Sequence, residues 1–77
     1  MILVIHTSPV SAFTLQIVND EGVTVDTCSS TFSNIRDTID KLAEKYQIEK
    51  SIVLGSQSYT TKVIQDLQKY FDFSISN

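Results

Sequence analysis

MILVIHTSPVSAFTLQIVNDEG, residues 1–22, carries two strands and the bend that joins them. Ile2 to Ile5 is an unbroken apolar run, and His6-Thr7-Ser8-Pro9-Val10-Ser11 turns the chain. Phe13, Leu15 and Ile17 then alternate with Thr14, Gln16 and Val18, the two-residue period of an extended chain whose side chains point to opposite faces in turn. A second hairpin follows at Asn19-Asp20-Glu21-Gly22, residue types suited to tight turns.

Working outward, Val23, Val25 and Thr27 alternate with Thr24, Asp26 and Cys28 in a third strand that ends in a polar loop, Ser29-Ser30-Thr31. From Asn34 the period changes. Ile35, Ile39, Leu42 and Tyr46 fall on one stripe of a helix over 34–46, with Ser33 or Asn34 as its cap. Ser51 to Gly55 is a short apolar fourth strand, and Gly55-Ser56-Gln57-Ser58 a loop. Helical spacing returns over 59–71 through Val63, Ile64, Leu67, Tyr70 and Phe71, and a last strand starts at Phe71 or Asp72 and runs to Ser76.

The order βββαβαβ predicts an α/β domain with a five-stranded mixed sheet of order 3-2-1-4-5, the first strand central and parallel to the fourth. Both crossovers move across the sheet in one direction, so their right-handedness places both helices on one face. Yet the first strand is apolar on both sides (Ile2 and Val4 against Leu3 and Ile5), and the fourth is similar (Ile52 and Leu54 against Val53). That is the pattern of strands buried on both faces, so something outside the 77 residues is expected to cover the second one.

Composition narrows the function. A single domain of 77 residues buries roughly 60% of the surface its unfolded chain exposes, so a covering partner would matter to its stability. Net charge is −3 and the six basic residues are scattered, which argues against direct nucleic-acid binding. The apolar runs are too short to span a membrane, and no basic segment precedes an apolar core, so a cytoplasmic location is expected. One Cys and one His make neither an internal disulfide nor a zinc framework.

Two ordered blocks carry a family resemblance. Ile2-Leu3-Val4-Ile5-His6-Thr7-Ser8, with Ala12-Phe13-Thr14-Leu15 and Asp20-Glu21-Gly22, resembles the Ile-Leu-x-Ile-Asp-Thr-Ser opening, small-hydrophobic strand and Asp-Gly turn of the bacterial threonylcarbamoyladenosine tRNA-modification protein B (TsaB) family. Ile52-Val53-Leu54-Gly55-Ser56-Gln57-Ser58-Tyr59-Thr60-Thr61-Lys62 is similar to that family's apolar strand followed by Gly-Pro-Gly-Ser-Phe/Tyr-Thr-Gly-Leu-Arg. The resemblance covers nearly the whole chain but only the first lobe of a two-lobed, actin-like and ribonuclease H-like fold. It implies a non-catalytic scaffold that pairs with a larger TsaD-like paralogue, the protein that carries the metal and transfers the threonylcarbamoyl group to the tRNA adenosine beside the anticodon. The pairing would use the two helices, here residues 34–46 and 59–71.

The chain departs from that pattern in informative places. In sugar-kinase, heat-shock and actin-type proteins an acidic residue opens the bend that approaches the phosphates, and His6 stands there instead. Gln57 and Thr61 replace glycines, and Val63 stands where the family usually has Arg. With the second lobe missing from these residues an interlobe cleft is not expected, and neither is kinase-type nucleotide binding; no catalytic residue, metal or cofactor is expected either.

The remaining candidates are weighed residue by residue. His6 has no acidic neighbour in sequence to orient it as a base, and is read as structural. The hydroxyls of Thr7, Ser8, Ser11, Ser56, Ser58, Thr60 and Thr61 could gather around an anion near the second helix, though caps and turns use the same residue types. Cys28 is read as a small strand residue. Tyr59, Val63 and Tyr70 widen the apolar face of the second helix beyond one stripe and are the expected partner interface, a wide core face being the alternative. On the first helix Arg36, Asp37, Asp40, Lys41, Glu44 and Lys45 read as a solvated face. Two other functions stay open: a self-associating homodimer that covers its own sheet and holds a small anion, and a degenerate ribonuclease H-like nuclease. The latter needs converging carboxylates where His6 and Gly55-Ser56 stand.

Overall fold

The computed structural model describes residues 1–7 and 12–77, and of residues 57–59 the backbone alone. Its elements are β1 (Ile2–His6), β2 (Ala12–Val18), β3 (Thr24–Thr31), α1 (Ile35–Lys45), β4 (Lys50–Leu54), α2 (Gln57–Gln68) and β5 (Ser74–Ser76). They form an α/β fold whose five-stranded mixed sheet has the order β3-β2-β1-β4-β5. β1 is central, antiparallel to β2 and parallel to β4, and β4 is parallel to β5. The expected sheet order is found.

One parity of every strand faces the helices. Leu3 and Ile5 of β1, Phe13, Leu15 and Ile17 of β2, Val53 of β4 and Ile75 of β5 are buried in one cluster with Ile35, Ile39 and Leu42 of α1 and Val63 and Leu67 of α2. Both helices therefore cover the same face, α1 over β3 and α2 over β4 and β5. Each large side chain removed from water this way stabilises the fold by about 1.5–3 kcal/mol. The opposite face, where Ile2, Val4, His6, Gln16, Ile52 and Leu54 point, has no helix among the described residues.

The turns are locally specified. Asn19 Oδ1 accepts hydrogen bonds from the Glu21 and Val23 N–H groups, both at 3.0 Å, and Gly22 takes φ = 81°, which suits a residue without Cβ.

The structure moves several boundaries. Ser29, Ser30 and Thr31, expected as a loop, extend β3, because Ser30 and Thr31 stand opposite Phe13 and Ala12 and complete the ladder with β2. Asn34 occupies the cap position of α1 but its side chain makes no capping bond; the Thr38 hydroxyl instead donates to the Asn34 carbonyl at 3.0 Å. α2 starts two residues early and ends at Gln68 rather than 71. The Gln68 side chain explains that stop: Nε2 donates to the Phe73 carbonyl at 3.1 Å, while Oε1 accepts from the Ile75 N–H at 3.1 Å. These bonds turn the chain into β5, so Phe71 and Phe73 stack with centroids 5.3 Å apart instead of continuing a helix and opening a strand.

Candidate partner interface

Thr7, just after β1, and Gly55, just after β4, lie side by side at the carboxyl ends of two parallel strands. Thr7 donates both its N–H and its hydroxyl to the Leu54 carbonyl, each at 2.8 Å, which ties the residue after β1 to the end of β4. Gly55 has φ = +146°, and a Cβ there would overlap Thr7 Oγ1, so the two segments approach too closely for any larger residue. His6 Nε2 pairs with Gln16 Oε1 at 2.9 Å across the antiparallel pair, on the sheet face away from the helices. Its partner is a neutral amide, which does not make it a general base.

Among the described residues of the hydroxyl set, Thr7, Ser56 and Thr60 each have a different setting. Thr7 is held by a backbone carbonyl and Ser56 is exposed at the cap position of α2 without a side-chain capping bond. Thr60 is buried, 1% exposed. It shares the inward stripe of α2 with Val63, Ile64 and Leu67, and Asn77 Nδ2 lies 3.5 Å from its Oγ1. Ser8, Ser11 and the Ser58 side chain lie outside the described residues. No group of three or more His, Cys, Asp or Glu that could hold a metal occurs among the described residues.

The expected interface residues separate. Val63 is 1% exposed and belongs to the core, because it sits one turn before Leu67 on the stripe facing the sheet; this removes it from the outer surface. Tyr70 is 58% exposed. The Tyr59 side chain lies outside the described residues.

Tyr70 forms one wall of a groove between α1 and α2 with a volume of about 260 Å³. Its floor is Ile35, Val63 and Leu67, and its other wall is Phe32, whose ring meets core residue Phe13 edge-on at 6.1 Å. The Arg36 guanidinium lies 4.0 Å from the Tyr70 ring centroid, and Lys69 and Asp66 complete the lining. Arg36, read as part of a solvated helix face, is thus held against an aromatic ring. Phe32, Asp66 and Lys69 had no visible role in the sequence. Arg36 lies in α1 and Tyr70 in the turn just past α2, so no shared periodicity reveals their contact.

A second polar cluster joins α1 to β3. The Tyr46 hydroxyl donates to Asp26 Oδ2 at 2.9 Å and Lys45 Nζ stands 3.4 Å from the same oxygen. The Tyr46 bond, aided by Lys45 against the opposing effect of burial, holds the Asp26 carboxyl below its ordinary value of 3.8. Burial pushes the Cys28 thiol up, with Asp26 adding to the shift, so the thiolate is disfavoured.

No protein-family model matches the chain, and no curated protein or solved structure matches it. No helix among the described residues is long and apolar enough to cross a membrane.

Proposed function

We propose that this chain is a non-catalytic adaptor domain that docks on a larger protein through the groove between α1 and α2. The observation that carries this reading is Tyr70: a large aromatic side chain, mostly exposed, clamped under Arg36 at the edge of an apolar groove. Exposed aromatics and arginines of this kind are frequent interface anchors. The sequence resemblance to the first lobe of the TsaB family gives the partner, a TsaD-like threonylcarbamoyl-transferring paralogue, and the ribonuclease H-like assignment of the fold belongs to the same reading. The sheet order and the two helices on one face are compatible with it. The test is to mix the purified chain with that paralogue from the same host and measure complex formation by light scattering. Binding that drops ten-fold or more with Tyr70→Ala supports the reading; absence of any complex refutes it.

A homodimer is the second reading, favoured by Ile2, Val4, Ile52 and Leu54 on the open sheet face, Leu54 being 43% exposed. A mass that doubles with concentration and is unaffected by Tyr70→Ala supports it.

A further inference from the structure

The groove has a chemistry of its own. The chain carries nine acidic and six basic residues, yet around this groove the balance reverses. Arg36 and Lys69 line it, and Lys62 Nζ lies 5.7 Å from the ring of Phe32, against the single carboxylate of Asp66. Half of the chain's cations therefore surround one groove of an otherwise acidic protein. Among the described residues none of the three forms an ion pair with a carboxylate.

The geometry prepares these cations for a ligand. Arg36 Cζ lies 4.0 Å over the Tyr70 ring centroid, and a guanidinium held against an aromatic face still has N–H groups to donate to a carboxylate. Phe32 is braced against the core through Phe13, so that wall is set before anything binds. Below lie Ile35, Val63 and Leu67, an apolar floor that favours an apolar side chain.

We infer that the groove between α1 and α2 binds an acidic segment of a partner protein, one apolar side chain entering between Phe32 and Tyr70 while flanking carboxylates meet Arg36, Lys62 and Lys69. The inference rests on the docking function proposed above and specifies the chemistry of the segment docked. Charge complementarity selects this occupant: a basic segment would meet like charge on three sides. A second copy of the chain, or a nucleic acid using the same cations and rings, are the competing occupants.

The probe is the capped peptide Asp-Glu-Leu-Phe-Glu-Asp, titrated into the full chain and followed by amide chemical shifts, beside the same peptide with Lys at every acidic position and beside hexauridylate. The acidic peptide should shift the amides of residues 32–36 and 63–70, and high salt should weaken it. Arg36→Gln should lower its affinity by about ten-fold, the scale of one charge-assisted hydrogen bond to a carboxylate. Lys50→Gln, at the start of β4, should leave it unchanged. Equal or absent binding of the two peptides, tighter binding of hexauridylate, or self-association that occludes the groove overturns the inference. The two readings fail separately: if the paralogue binds in a Tyr70-dependent way but the acidic peptide does not compete with it, docking stands and the acidic segment is rejected.

Discussion

The two faces of the sheet are built from the same strands and behave differently. On the helix side Leu3, Ile5, Leu15, Ile17 and Val53 are fully buried. On the other side Ile2, Val4 and Ile52 keep part of their surface in water, with His6, Thr14 and Gln16 among them. Cross-strand register accounts for the partial cover: Val4 stands between Gln16 and Ile52, and Ile2 between Val18 and Lys50. Neighbours within a sheet thus half-bury a central apolar residue without a second layer. An apolar run alternating across both faces marks a central strand, but does not by itself reveal a covering partner.

The largest expected effect separates the faces by stability. Phe13→Ala, on the covered face, should cost about 3–5 kcal/mol, whereas Val4→Ala on the open face should cost less than about 1 kcal/mol. Leu67→Ala, under α2, should cost about 2–5 kcal/mol, in the range of Phe13→Ala and well above Val4→Ala. Urea denaturation of the three variants gives the ranking, and equal losses at Phe13 and Val4 would break the distinction.

Much of the fold was legible in sequence because periodicity reports which side of a strand or helix is apolar. Phe13, Leu15 and Ile17 announced the inner face of β2, and Ile35, Ile39 and Leu42 that of α1. The interface was less legible. Val63 and Tyr70 are both apolar residues of the second helical segment, and only the stop at Gln68 leaves one in the core and the other on the surface. The extension of β3 was hidden because Ser29, Ser30 and Thr31 are turn residues by composition, overridden here by pairing with β2.

Next in size is the junction at the carboxyl ends of β1 and β4. Gly55→Ala forces a side chain into a positive-φ position against Thr7, and should destabilise by about 1–3 kcal/mol. Adding Thr7→Ala removes the overlapping hydroxyl and should restore part of that loss. A calorimetric double-mutant cycle reads the coupling, and strict additivity would show that Thr7 is not the obstacle.

On the outer side of the helices the expected stability change is smaller still. Tyr70→Ala should alter stability by less than about 1 kcal/mol, since surface positions rarely matter more, while partner affinity falls ten-fold or more. A large loss of stability would place Tyr70 among the supports of the fold instead.

The smallest effect appears only as a function of pH. Asp26 has a depressed pKa in the folded chain, so its contribution is present above the ordinary carboxylate value of 3.8 and is lost as pH falls through the lower folded value. Asp26→Asn should therefore melt below the parent at neutral pH, with the gap closing under acid. A gap independent of pH contradicts the link to Tyr46 and Lys45.

The central claim is that partners dock on the helix side and leave the open sheet face untouched. Methyl-labelled protein titrated with the TsaD-like paralogue tests it directly, because the two faces carry separate reporters. The account predicts shifted or broadened methyl signals for Ile35, Val63 and Leu67 beneath the groove and unchanged signals for Ile2, Val4 and Ile52. Perturbation of Ile2, Val4 and Ile52 with the groove methyls unmoved would contradict it.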